Sequence, residues 1–240
     1  MRKIFLPVCF LAILFSSCDL ILDKTVHGNG TLKKEARTVS NTDKIKSAGS
    51  FDIDIVQGSP AGVVVEADEN LLPYIITEAK GGALEIHTKE HYRLSSDDKI
   101  KVTVTTDRLE LLDIAGSGNI RGIGKFAGSD HLKISIAGSG DVDLAVNAPE
   151  VESHIAGTGS IKLSGETRES KIEIAGMGNY HAADLKSEDV DIHIAGSGNA
   201  DVYAESNLNI DIAGSGDVNY HGNASVKQNI AGSGKIKKVD

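Results

Sequence analysis

Ile-Ala-Gly-x-Gly occurs seven times along this 240-residue chain, beginning at Ile114, Ile136, Ile155, Ile174, Ile194, Ile212 and Ile230. The copies lie 22, 19, 19, 20, 18 and 18 residues apart. That period is too short for a helical pair or a propeller blade and fits one coil of a β-solenoid, where each repeat stacks on the next. Taking each Ile as position zero, the residues two before it (Leu112, Ile134, Ile172, Ile192, Ile210) and six after it (Ile120, Val142, Ile161, Val218, Ile236) are mostly apolar. These columns read as strand positions that point inward. The exceptions are Ser153, Gln228, Tyr180 and Ala200. The Ala-Gly-x-Gly between the columns reads as a corner, because glycine tolerates positive φ.

The outward columns agree with stacking. Three before the Ile stand Lys133, Glu152, Lys171 and Asp191, and seven after it Arg121, Asp143, Lys162, His181 and Asp201. In-register parallel rungs place each about 4.8 Å from the next, so alternating signs avoid repulsion. Crossovers between parallel strands are overwhelmingly right-handed. The expected fold is therefore all-β, a right-handed single-stranded parallel β-helix with 18–20 residues per coil. Seven rungs would run roughly 34 Å. Lys227, Lys235, Lys237 and Lys238 sit on the last rung, where lysines guard an open strand edge.

The first third is less regular. Phe51–Ile55, Val63–Val65, Leu84–Ile86 and Ile100–Val104 read as strands, Asn70–Thr77 as a short helix with Pro73 in its first turn, and Gly81-Gly82 as a turn. The expected division is a signal peptide at 1–17, a lipid-anchored tether at 18–40 with one edge strand near Thr31–Val39, and a β-helix domain at 41–240. That domain comprises an irregular section at 41–108 and seven repeats at 109–240.

The N-terminus reads as a targeting segment. Arg2 and Lys3 precede an apolar run, Ile4–Phe15, interrupted by Cys9 and too short to span a bilayer. Leu14-Phe15-Ser16-Ser17-Cys18 is similar to a bacterial lipobox, which would make Cys18 the lipidated first residue of the mature chain. Cys9 and Cys18 are the two cysteines of the sequence, so the mature chain would have no internal disulfide. The expected location is the cell envelope, lipid-anchored, on the outer membrane.

This lipobox, the Phe51-Asp-Ile-Asp-Ile-Val-Gln-Gly58 segment, the run Glu66–Tyr74 and the Ile-Ala-Gly-Ser-Gly repeats together resemble the head GIN domain family, over roughly residues 40–237. The resemblance implies a right-handed β-helix on a secreted or lipid-anchored bacterial protein with an adhesin-like role. It implies no established activity and no catalytic residues.

Chemistry in the motifs is sparse. A net charge of −9 argues against nucleic acid, and the absence of tryptophan argues against an aromatic sugar-stacking platform. In the calcium-binding nonapeptide an acid follows Gly-x-Gly after one spacer; here that position is Val142 or Val218. The residues after the second Gly (Asn119, Asp141, Ser160, Asn179, Asn199, Asp217) instead form a polar turn column suited to bonding turn backbone. No cofactor, metal site or catalytic residue is expected. One outward run, His154, Glu173, His193 and Asp211 with Asp191 beside it, is the candidate binding face. Histidine with carboxylates is acceptable zinc chemistry, although a solvated sheet face accounts for the same residues. The expected function is non-enzymatic: a β-helix surface offered to an extended glycan or a protein partner. The alternatives are a carbohydrate-active enzyme of the pectin-lyase type and a purely structural envelope component. Short coils with no inserted loops leave little to wall a catalytic cleft.

Overall fold

The computed structural model describes residues 23–39 and 43–239; the signal segment and Cys18 lie outside these residues. The protein is a parallel β-solenoid, as the repeat period requires. Every Ile-Ala-Gly strand from Leu111–Gly116 to Ser225–Gly232 pairs in parallel with the next copy, Ile over Ile, Ala over Ala, Gly over Gly. A second stack, from Ile120–Ala127 to Ile236–Lys238, pairs in parallel behind it.

The zero-position isoleucines from Ile114 to Ile212 are buried, as are Leu112, Ile134, Ile172, Ile192 and Ile210. In the coil around residues 180–194, the inward residues are Tyr180 and Ala182, then Leu185 and Ser187, then Val190, Ile192 and Ile194. The two-residue alternation of a strand breaks between 182 and 185, between 187 and 190, and at the glycine corner, so this coil has three sides. The column exceptions explain one another. Tyr180 is fully buried, and its hydroxyl lies 3.4 Å from Ser170 Oγ, in space that the small Ser170 and Ser153 side chains leave open.

The corner depends on glycine for a specific reason. Gly196 has φ +137°, and a Cβ there would stand 2.2 Å from the Gly176 carbonyl oxygen of the rung below. That oxygen accepts the backbone N–H of Ser197 at 2.8 Å. The same bond recurs from rung to rung, as Met177 N to Gly157 O at 2.9 Å and Ser215 N to Gly196 O at 2.8 Å. The polar turn column adds a second ladder. Asp141 Oδ1 accepts Ser160 N–H at 3.0 Å, Asn199 Oδ1 accepts Asp217 N–H at 3.1 Å, and Asp217 Oδ1 accepts Lys235 N–H at 2.9 Å.

Sequence order and stacking order differ at the N-terminal end. The coil containing Lys44–Gly49 and Asp52–Gln57 lies between the one containing Ala83–Thr88 and Lys101–Thr106 and the one containing Leu111–Gly116 and Ile120–Ala127. Ser47-Ala48-Gly49 aligns with Ile114-Ala115-Gly116, so Ser47-Ala48-Gly49-Ser50-Phe51 is an eighth, degenerate copy of the repeat.

Beyond Ala83–Thr88 and Lys101–Thr106 the stacks close with antiparallel strands. Ile75–Lys80 covers one, and Gly62–Asp68 followed by Leu32–Arg37 covers the other. The Arg37 guanidinium joins the two closures, reaching Leu72 O at 2.9 Å and Thr77 Oγ1 at 3.2 Å.

Two expectations need correction. The helix at Asn70–Thr77 reduces to a 3-10 turn, Leu72–Tyr74, and the chain from Ile75 is a strand. The β-branched run Ile75-Ile76-Thr77 favours the extended form, and pairing with Ala83–Thr88 supplies its backbone bonds. The stretch read as a tether carries two strands. Lys24–His27 pairs in parallel with Tyr92–Ser95, and the edge strand expected near Thr31–Val39 is Leu32–Arg37.

Replacing Gly196 by Ala is expected to cost about 1–3 kcal/mol from the positive φ, with the clash against the Gly176 carbonyl added to it. Ser197→Ala, at the exposed neighbouring position, should stay within about 0.5 kcal/mol of the parent. Urea unfolding of the two variants measures the difference.

Candidate binding face

The run read from the sequence exists as a physical column. His154, Glu173, His193 and Asp211 occupy one register position on successive rungs and point outward beside buried isoleucines. Together with the alanines of the adjacent column they line a shallow hollow. Asp191 lies two residues before His193 on the same side and accepts Asn209 Nδ2 at 2.7 Å.

The column is longer than the sequence reading had it. It continues through Asn229 at one end and through Ser135, Asp113, Lys46 and Glu85 at the other, nine rungs in all. Asp113, Ser135 and Asn229 stand directly before the repeat's Ile and could have been added from the alignment of copies. Lys46 and Glu85 could not, because they come from coils whose order in the stack departs from their order in the chain. Beside this column runs a second, of exposed alanines from Ala48 to Ala231. The result is a flat strip of small side chains flanked by a polar ladder, about 40 Å long at the spacing of stacked strands.

Electrostatics along the ladder is local. Glu152, two residues before His154, gathers three basic groups: Lys133 Nζ at 2.9 Å, His131 Nε2 at 3.3 Å, and His154 Nε2. The Lys133 and His154 hydrogen bonds outweigh partial burial and hold the Glu152 carboxyl down at about 2. On its other side His154 Nδ1 lies 2.9 Å from Glu173 Oε2. Both contacts are hydrogen bonds at once when the ring carries two N–H groups, that is, as imidazolium. Farther along, His193 Nδ1 and Asp211 Oδ2 are 3.5 Å apart. On the adjacent sheet Lys162 stacks 3.6 Å from Asp143, as the alternating signs anticipated. These outer pairs are solvated, and each contributes about 0–1 kcal/mol.

The comparisons with known proteins fit this architecture. The sequence profile of the family described as "Putative auto-transporter adhesin, head GIN domain" matches residues 41–224. The chain belongs to that family. Among solved structures, it resembles a "putative lipid binding protein" from Parabacteroides distasonis ATCC 8503, at 28% identity over 90% of this chain and 100% of that one, with a TM-score of 0.73. A "putative adhesin" from the same organism is 25% identical over 90% of this chain and 100% of that one, with a TM-score of 0.69. A "putative adhesin" from Bacteroides fragilis NCTC 9343, at 21% identity over 89% of this chain and 100% of that one, shares the fold with a TM-score of 0.84. No functionally curated protein matches the chain.

Because the Glu152 carboxyl is held below its ordinary 4.5 in the folded protein, its contribution to stability is present above about pH 4.5 and is lost as pH falls toward 2. The Glu152→Gln variant should therefore show a shallower loss of stability across that window than the parent. Urea midpoints measured from pH 5 downward test it.

Proposed function

We propose that the protein is a non-enzymatic, lipid-anchored component of the cell envelope that binds an extended partner along its alanine strip and polar ladder. The observation carrying this reading is the continuity of the strip. A polar column of nine rungs and an alanine column of eight stay in register side by side, giving a repeating surface matched to a polymer or an extended polypeptide rather than to a compact small molecule. Family membership supports an adhesin-like role at the cell exterior or envelope. In this reading Cys18 carries the lipid, and His154, Glu173, Asp191, His193 and Asp211 supply the polar contacts.

A second reading, lipid recognition, is favoured by the description of the 28% identical Parabacteroides protein. The coil interior is filled by side chains such as Tyr180, Ile192 and Leu208, so a lipid would be met on the outer surface.

The deciding experiment screens the protein against a glycan array, matrix proteins and phospholipid vesicles, alongside a His154→Ala/His193→Ala double variant. Binding to a glycan or protein that falls about tenfold or more in the double variant, equivalent to at least 1.4 kcal/mol, is the expected outcome. Binding confined to vesicles would favour the second reading. Binding that ignores both histidines would remove this face from the proposal.

A further inference from the structure

At the N-terminal end of the polar ladder, the hairpin that closes one stack brings together a second cluster of side chains. Glu78 lies on Ile75–Lys80, and Glu85 and His87 lie on Ala83–Thr88, with Gly81-Gly82 turning the chain between them. Glu78 and Glu85 stand directly opposite each other in the antiparallel register, a placement that costs stability when both carry the same charge. One donor atom from each of Glu78, Glu85 and His87 lies within 4.8 Å of the other two. His87 Nε2 is 3.7 Å from Glu78 Oε1.

The imidazole is what separates this group from an ordinary acidic patch. His87 Nδ1 lies 3.0 Å from the Thr88 carbonyl oxygen. A carbonyl only accepts, so the hydrogen is on Nδ1, and in the neutral ring Nε2 presents a lone pair. That lone pair faces the Glu78 carboxylate, which also only accepts. A shared proton or a metal ion can bridge two acceptors placed this way. A backbone carbonyl holding the far nitrogen is also the arrangement that fixes ring and tautomer in metal-ligating histidines.

The resident cation does not fill the place. Lys80 Nζ stays 3.9 Å from Glu78 and 3.8 Å from Glu85, well beyond the roughly 2.7–2.9 Å of a charge-assisted bond. Lys46, beside Glu85 in the register, flanks the group from the next rung.

We propose that Glu78, Glu85 and His87 bind one zinc ion. Ligands placed tetrahedrally at about 2.0–2.1 Å from zinc stand about 3.3 Å from one another, so the His87–Glu78 gap closes by a small side-chain rotation. Three protein ligands leave the fourth position to water. Among the described residues, the strand that carries Glu78 pairs in register with Ala83–Thr88 alone. Calcium is disfavoured because it takes oxygen ligands. The ion relieves the opposed carboxylates and clamps the terminal hairpin.

The test is a calorimetric titration of the metal-stripped full chain with zinc chloride and, separately, calcium chloride. Glu78→Gln, His87→Ala and His154→Ala variants are titrated in parallel. Saturable binding of one zinc per chain is expected. Affinity should fall about tenfold or more in Glu78→Gln and His87→Ala and be unchanged in His154→Ala. Glu78 is exposed and glutamine keeps its shape, so that variant carries the test if His87→Ala does not fold. No saturable zinc binding, calcium binding as tight as zinc's, zinc binding that survives in Glu78→Gln, or a loss confined to His154→Ala would each overturn the proposal.

Discussion

The bond from the variable residue of each Ala-Gly-x-Gly corner to the glycine carbonyl one rung below is the contact on which the rest of the molecule depends. It forms because nothing projects from the glycine α-carbon toward that carbonyl. A β-carbon at Gly214, for example, would lie 2.0 Å from the Gly196 oxygen. With the corner fixed, the residues on either side have no choice of register. Slipping by one would expose every isoleucine. Core packing, outward columns and strip geometry all follow from a corner that admits one residue type.

This explains why the repeat region was legible in the sequence. A steric requirement with a single solution recurs letter for letter, and the inward columns could be read by counting from it. Even the departures were informative, since Ser153, Ser170 and Tyr180 make sense only as neighbours within one stack. Ser47-Ala48-Gly49-Ser50-Phe51 escaped notice because two of its positions had drifted. Ser47 stands where the buried Ile would be, and Phe51 where the second glycine would be.

The closing section was less legible because it is held by particular long-range contacts rather than a period. The 3-10 turn at Leu72–Tyr74 and the strand after it are set by what they pair with, and a short apolar run cannot announce that. Likewise, His154, Glu173, His193 and Asp211 could be aligned on paper, but the convergence of His131, Lys133 and His154 on Glu152 could not. It requires side-chain reach between rungs. Glu78 is separated from Glu85 and His87 by a turn and lies outside the repeat, so no counting scheme would have grouped them.

The interleaved coil at residues 44–57 has a consequence for assembly. As the chain lengthens from its N-terminus, this coil has no parallel neighbour until residues 83–106 arrive on one side and 111–127 on the other. Early growth therefore cannot proceed as simple winding of one coil onto the last. Past Ala127 each newly made segment finds its template already in place, which confines the slow, long-range search to the N-terminal half.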